Sequence, residues 1–228
     1  MHAVAVRLVA PLSQTAMPHA ASDQQSEEPR FASRGRAYVY VLPCRDADLL
    51  KVGFSRDPMQ RLHDLHPRFF EFFDLGRGLL IEVDLVAQAR RIERHFLTRW
   101  PECRAPAPLA VHAAAGGRTE WYRGVDAELT ALARELAREE SLPLHEPLRD
   151  WLARRLADRA GLLYDWSERM LAEASLEREH HGAPGPFEHA LLDTLSLCEA
   201  VGLPLEQLLP ASVLAWHRFG PHRRLFEP

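Results

Sequence analysis

The chain contains no asparagine, only two isoleucines and a single lysine, Lys51, among its 228 residues. Every other residue among the 28 lysines and arginines is an arginine. A codon bias of the kind found in GC-rich genomes explains why arginine replaces lysine in general. A lysine retained against that bias is a candidate for a specific role, and chance is the alternative, because one lysine must be the last.

Cysteines and long apolar runs are also scarce. Cys44, Cys103 and Cys198 lie far apart and form no C-x-x-C pair, which excludes a zinc ribbon or a disulfide framework. This usage is typical of a reducing, cytoplasmic compartment. No apolar run approaches the roughly 18 residues of a membrane span, and Arg7 interrupts the weakly apolar start, which therefore does not resemble a signal peptide.

Charge and composition divide the chain into three parts. Residues 1–34 are polar and without periodicity, which predicts a disordered leader. Residues 35–125 alternate strand and helix patterns within a segment of net charge +4, counted over 31–125, whereas residues 126–228 are helical throughout and carry a net charge of −7. We therefore predict an α+β protein, in which a small mixed sheet flanked by helices precedes an all-α bundle.

Within the α+β part, period-two and helical patterns alternate clearly. Asp57 and Pro58 are suited to the N-cap and first position of a helix. The helix of residues 87–100 places Glu93 at the edge of its apolar stripe. The predicted strands are Tyr38–Leu42, Leu49–Ser55, Leu79–Val86 and a short edge strand within residues 118–125. Downstream, residues 148–180 are either one long helix or a pair joined near Gly161.

Five polar side chains occur on consecutive elements of this part. Tyr38 and Tyr40 share one face of the first strand, because side chains two residues apart point the same way. Lys51 follows on the second strand, Arg61 on the first helix and Glu93 on the second. The ordinary interpretation is an aromatic core pair and solvated charges. The functional interpretation is a site that combines phenol, amine, guanidinium and carboxylate.

The order and spacing of these residues favour the functional interpretation. Tyr38-Val39-Tyr40 is followed about eleven residues later by Lys51-Val52-Gly53, and Arg61 comes eight residues after that glycine. This pattern resembles the GIY-YIG nuclease superfamily, and in particular its phage-type branch, whose second motif typically reads K-[IV]-G. The branch also ends near an "EWF"-like segment, to which "TEWY" at residues 119–122 is similar. The resemblance covers about residues 36–123.

The resemblance implies a metal-dependent endonuclease that cleaves or nicks DNA. Tyr38 and Tyr40 then occupy the first motif, Lys51 belongs to the second, Arg61 is the helix arginine and Glu93 is the metal ligand for Mg²⁺ or Mn²⁺. Lys51 is expected to lower the pKa of Tyr40, which would accept a proton from the attacking water. His63, near the end of the first helix, is a further candidate for phosphate contact or proton transfer.

Two departures keep an alternative open. Tyr38 stands where the first motif has glycine, as is common in this branch, and the late asparagine of many nuclease members is absent. The alternative is a catalytically inactive nucleic-acid-binding module of the same fold. In either case, the acidic helical half is expected to bind a protein partner, to self-associate or to brace the fold, and we expect no membrane contact.

Overall fold

A computed structural model describes residues 34–111 and 119–220 of the chain. It shows an α+β fold, as the sequence predicts, with a six-stranded sheet in the order β4-β5-β2-β1-β3-β6. The strands are β1 Arg34–Pro43, β2 Leu50–Ser55, β3 Leu79–Leu85, β4 Arg104–Ala105, β5 Trp121–Tyr122 and β6 Leu144–His145. The helices are α1 Pro58–Leu65, α2 Phe69–Phe72, α3 Val86–Arg99, α4 Asp126–Glu139, α5 Leu148–Ala157, α6 Ala160–His181, α7 Pro186–Ala200, α8 Leu205–Leu208 and α9 Ala211–Phe219.

All strand pairings in the described ranges are antiparallel, so the expectation of a mixed sheet is wrong. β1 and β2 form a hairpin, and β3 then runs against β1 on its other side. Parallel neighbours would need a crossover that brings the chain back to the same end of the sheet. Strand β5 was expected at the edge of the sheet, but it is an inner strand, because β4 pairs with its outer side.

The alternation of side chains along β1 gives the sheet two differently covered faces. Ala37, Val39 and Val41 point to the first face, where α3 and α4 pack. Tyr38 and Tyr40 point to the second face, where α1, α2 and α5 pack. Both faces are buried, which explains why β1 is apolar or aromatic at nearly every position.

The start of α1 is built as the sequence predicts. The Asp57 side chain accepts a hydrogen bond from the Gln60 N–H at 3.1 Å, and Pro58 occupies the first turn. The hydroxyl of Ser55, the last residue of β2, donates to the Asp57 carbonyl at 2.9 Å. This cap ties α1 to the end of β2, so that Arg61 lies over the second face.

The packing of the sheet continues beyond residue 125, the domain boundary suggested by the sequence. Strand β6 pairs with β3, with Leu80 opposite His145, and α4 contributes Leu129 and Ala133 to the core of the first face. Helix α5 then covers part of the second face through Trp151. The sheet and its two helical layers therefore extend to the end of α5 at Ala157.

The remaining helices form a third core, while Val201, just after α7, also packs into the core of the second face. Leu191, Leu195 and Val213 belong to the buried centre of the third core, against which α6 packs. Residues 148–180, for which the sequence allowed one helix or two, form two helices, because α5 ends at Ala157 and α6 begins at Ala160. Within the parts of the chain that the structure describes, no helix is both long and apolar enough to cross a membrane. The predicted leader lies outside the described residues, apart from Arg34, which begins β1.

Candidate active site

The phenol ring of Tyr40 lies across the backbone of Gly53. The two residues are opposite each other in the β1–β2 register, and Tyr40 is only 3% exposed. A Cβ atom added to Gly53 would come within 2.3 Å of the Tyr40 hydroxyl oxygen and 2.5 Å of Cζ. Any other residue at position 53 would displace the ring, which is a physical reason for the glycine of the Lys51-Val52-Gly53 motif.

The hydroxyl group of Tyr40 has Arg61 as its hydrogen-bond partner. Arg61 Nε donates to the phenolic oxygen at 3.2 Å, so the phenol's own hydrogen is not used in this bond. Burial raises the pKa of Tyr40 above its ordinary value, while the charge and the hydrogen bond of Arg61 oppose that rise. Tyr40 is therefore a neutral phenol near pH 7, with a cation directly beside its oxygen.

Lys51 lies on the same face but has a different partner. It is 1% exposed, and its Nζ donates to Glu120 Oε2 at 2.7 Å and stands 5.8 Å from the centre of the Trp121 ring. The structure thus gives Lys51 a partner other than Tyr40, and Arg61 is the cation that is hydrogen-bonded to the phenol. The register supplies the reason, since Lys51 pairs with Trp121 of β5, whereas Gly53 is the residue opposite Tyr40.

Glu120 is the site residue that the sequence reasoning missed. Burial alone would raise its pKa, but the hydrogen bond and charge of Lys51 outweigh burial and hold the pKa below its ordinary value. Thr119 Oγ1 also donates to Glu120 Oε1, at 3.1 Å. The available signal was its position in "TEWY", directly before a strand that pairs with the strand of the only lysine.

Glu93 interacts with this group only through its charge, because its helix packs on the opposite face of the sheet from Tyr40. Its helix, α3, covers the first face through Ala89 and Ile92, and its own side chain is half-buried. Burial and then the charge of Glu120 raise the pKa of the Glu93 carboxyl, while Lys51 and Arg61 act in the opposite direction. Within the described residues, β5 pairs with β2 only at Leu50 and Lys51, so the later part of β2 has no ladder partner on that side.

Tyr38 and His63 belong to a neighbouring cavity. The Tyr38 hydroxyl accepts a hydrogen bond from Arg155 Nη2 at 3.3 Å, and its ring meets Trp151 edge-on at 5.5 Å between centroids. His63 is exposed and lines the same cavity, whose lining includes neither Tyr40 nor Lys51. The predicted site residues therefore fall into two groups, one around Tyr40 and one around Tyr38.

Tyr40, Lys51, Arg61, Glu93 and Glu120 are called the Tyr40 cluster, and its two carboxylates are the candidate ligands for a metal ion. Burial, followed by the charge of Glu120, raises the pKa of Glu93, and a divalent cation would relieve the repulsion between the two carboxylates. Among residues 34–111 and 119–220, no group of three or more His, Cys, Asp or Glu side chains forms a metal cluster. The donor set fits a hard cation that keeps several of its waters, which is the usual behaviour of Mg²⁺.

Fold and site together define an α+β domain with an antiparallel sheet and a partly buried cluster of phenol, guanidinium, ammonium and carboxylates. Residues 37–137 match the family model of the T5orf172 domain, which is less than half of the chain. The match runs from β1 into α4 and so also extends past residue 125. No curated protein and no solved structure matches the chain.

The buried pair of Lys51 and Glu120 should contribute measurably to stability. Lys51→Met keeps the aliphatic stem but leaves the Glu120 carboxylate, 23% exposed, without its partner. We expect a loss of about 2–3 kcal/mol in the free energy of unfolding at pH 7, measured by urea denaturation. The double variant Lys51→Met/Glu120→Gln also removes the unpaired carboxylate, so its loss in the free energy of unfolding should be smaller than that of Lys51→Met.

The same pair predicts a pH dependence. Because the folded-state pKa of Glu120 is lowered, its contribution is fully present above the unfolded pKa and is lost as pH falls through the folded value. The stability difference between wild type and Lys51→Met should therefore shrink below about pH 5. If the stability difference between wild type and Lys51→Met is the same at pH 7 and pH 3, the ion pair is not the origin of that difference.

Proposed function

We propose that the chain is a metal-dependent DNA endonuclease of the GIY-YIG type, which cleaves or nicks phosphodiester bonds at the Tyr40 cluster. The observation that carries the proposal is the contact between Arg61 and the Tyr40 hydroxyl, beside the paired charges of Lys51 and Glu120. The T5orf172 match supports a nuclease or DNA-binding role in the same residues. A proton acceptor, a phosphate-binding cation and acidic metal ligands are the groups that metal-dependent phosphodiester cleavage uses.

Each residue has a role that its surroundings support. Glu93 and Glu120 would hold Mg²⁺ or Mn²⁺, which when bound supplies positive charge to the leaving phosphate oxygen. Arg61 is half-buried and presents a guanidinium group suited to a non-bridging phosphate oxygen. Lys51 holds Glu120 ionised, as a metal ligand must be, because it lowers the pKa of that carboxyl.

Tyr40 acts as the proton acceptor in its phenolate form. The attacking water gives its proton to the phenolate oxygen while the water oxygen bonds to phosphorus and the bond to the leaving oxygen breaks. Arg61 stabilises the phenolate charge through the existing hydrogen bond. Because burial raises the pKa of Tyr40, the phenolate fraction grows about tenfold per pH unit through neutral pH.

The alternative is a binding module of the same fold that does not cleave DNA. Two observations favour it, namely the near-complete burial of Tyr40 and of Lys51. In this case Arg61 would contact phosphate without any chemistry at Tyr40. DNA binding is common to both functions, so that only a cleavage assay separates them.

The test is the conversion of supercoiled plasmid to nicked or linear forms by the purified full chain. We expect conversion with Mg²⁺ or Mn²⁺, none with EDTA, and a rate that rises with pH between about pH 7 and 9 without reaching a plateau. Tyr40→Phe should lose the pH-dependent rate while DNA binding remains. Binding without conversion under every metal and pH condition would favour the binding module instead.

A further inference from the structure

The cavity lined by Tyr38 and His63 lies beside the Tyr40 cluster, between α1 and α5. Its volume is about 580 Å³, and it opens where the sheet meets the helices of the C-terminal half. Its walls come from β1, from the loop before α1, from α1 itself and from α5 with the residues that follow it. The side chains that give it chemical character are Arg36, Tyr38, Arg56, His63, Arg155 and Arg159.

The charge of this cavity is mainly positive. Four arginines line it against two carboxylates, those of Asp57 and Asp158. The Asp57 carboxylate accepts the capping hydrogen bond of α1 and is oriented by it. Arg155 and Arg159 come from a half of the chain with a net charge of −7, so this basic wall is a local exception to an acidic background.

Tyr38 holds one of the arginines at the cavity. Its ring is buried, and Arg155 donates to its hydroxyl oxygen from α5, 117 residues later in the chain. The guanidinium of Arg155 also stands 5.2 Å from the Trp151 ring. Arg36, on the strand of Tyr38, is paired through Nε with Glu82 Oε1 at 2.9 Å. These contacts hold Arg155 beside the buried phenol and hold Arg36 at the rim.

We propose that this cavity binds a backbone phosphate of the nucleic acid. This phosphate would neighbour the phosphate that Arg61 contacts in the proposed function. Guanidinium groups donate paired hydrogen bonds that match phosphate oxygens, and the hydroxyl and imidazole groups at the cavity add further donors. The helical half thereby completes the nucleic-acid-binding surface through Arg155 and Arg159. This assignment rests on the proposed function for the identity of the ligand, but it needs no cleavage at Tyr40.

The test is binding of fluorescein-labelled duplex DNA, followed by anisotropy in EDTA between about 50 and 200 mM salt. Arg159→Ala and Arg155→Gln should each weaken binding several-fold. Each should also reduce the slope of log affinity against log salt by about 0.9, the value for one lost phosphate contact. The matched control is Arg154→Ala, an exposed neighbour on α5 that does not line the cavity and should bind as wild type does.

The outcomes separate this assignment from the proposed function. If wild type binds DNA and all three variants share its affinity and salt slope, the cavity is not a phosphate site, whatever the plasmid assay shows. If Arg159→Ala weakens binding but the plasmid is never cleaved, the phosphate site stands and the nuclease proposal fails. If wild type binds no DNA in EDTA, the phosphate site is overturned, and the plasmid assay with metal alone decides the nuclease proposal. Circular dichroism and thermal unfolding establish that each variant is folded, and Arg159→Ala removes an exposed side chain outside the cores.

Discussion

Glu93→Gln should abolish metal-dependent cleavage while the protein stays folded. The amide keeps the size and shape of the carboxyl group but is a poor ligand for Mg²⁺. The pKa of Glu93 is raised by burial and by Glu120, so ionisation of Glu93 is unfavourable in the fold and the variant should match or exceed wild-type stability at pH 7. We expect the rate of plasmid nicking to fall by at least about 10²–10³-fold, the scale of losing one electrostatic stabiliser.

The measurement is the nicking rate with saturating Mn²⁺, together with Mn²⁺ binding by calorimetry. The control is Glu173→Gln, which makes the same change on the exposed surface of α6 and should leave both quantities unchanged. As the solution is acidified, the Mn²⁺ affinity of the wild type should fall when Glu93 becomes protonated. Because the pKa of Glu93 is raised, this fall should begin at a higher pH than it would at a glutamate with an ordinary pKa. If Glu93→Gln nicks DNA at the wild-type rate, Glu93 is not a metal ligand of the active site.

Gly53→Ala should be nearly as damaging as loss of the Tyr40 hydroxyl itself. The new methyl group would lie 2.3 Å from the Tyr40 oxygen, so the ring must turn or β2 must move. Either movement breaks the hydrogen bond from Arg61, because the ring is buried and has little free space. We expect nicking to slow by about 10²-fold or more and stability to fall by about 1–3 kcal/mol, as in other overpacked interiors.

A second glycine offers a matched control. Gly161, near the start of α6, has no atom within 4 Å of an added Cβ, so Gly161→Ala should leave nicking unchanged and stabilise the helix by up to about 1 kcal/mol. If Gly53 acts through Tyr40, the double variant Gly53→Ala/Tyr40→Phe should nick DNA no more slowly than Tyr40→Phe alone. A further loss in the double variant would show that Gly53 has a separate role.

Local patterns were sufficient to predict most of the elements. The strand around Tyr38–Leu42, the helix begun by Asp57 and Pro58, and the apolar stripe of α3 are all present where the sequence indicated. These features depend on residues within a few positions of one another, such as the capping bond from Gln60 to Asp57. The antiparallel pairing of β3 with β1 and the sixth strand, β6, could not be predicted, because they depend on which distant strands pair with β3.

Local sequence patterns are enough to place Tyr40, Lys51, Arg61 and Glu93 in their motif order and to put Tyr38 and Tyr40 on one face. The partners of these side chains depend on the tertiary fold. Lys51 meets Glu120, 69 residues away, and not Tyr40, because β5 docks on the far side of β2. Tyr38 likewise meets Arg155 across 117 residues. Such contacts follow from the register of the sheet and the packing of whole helices, which short-range patterns do not encode.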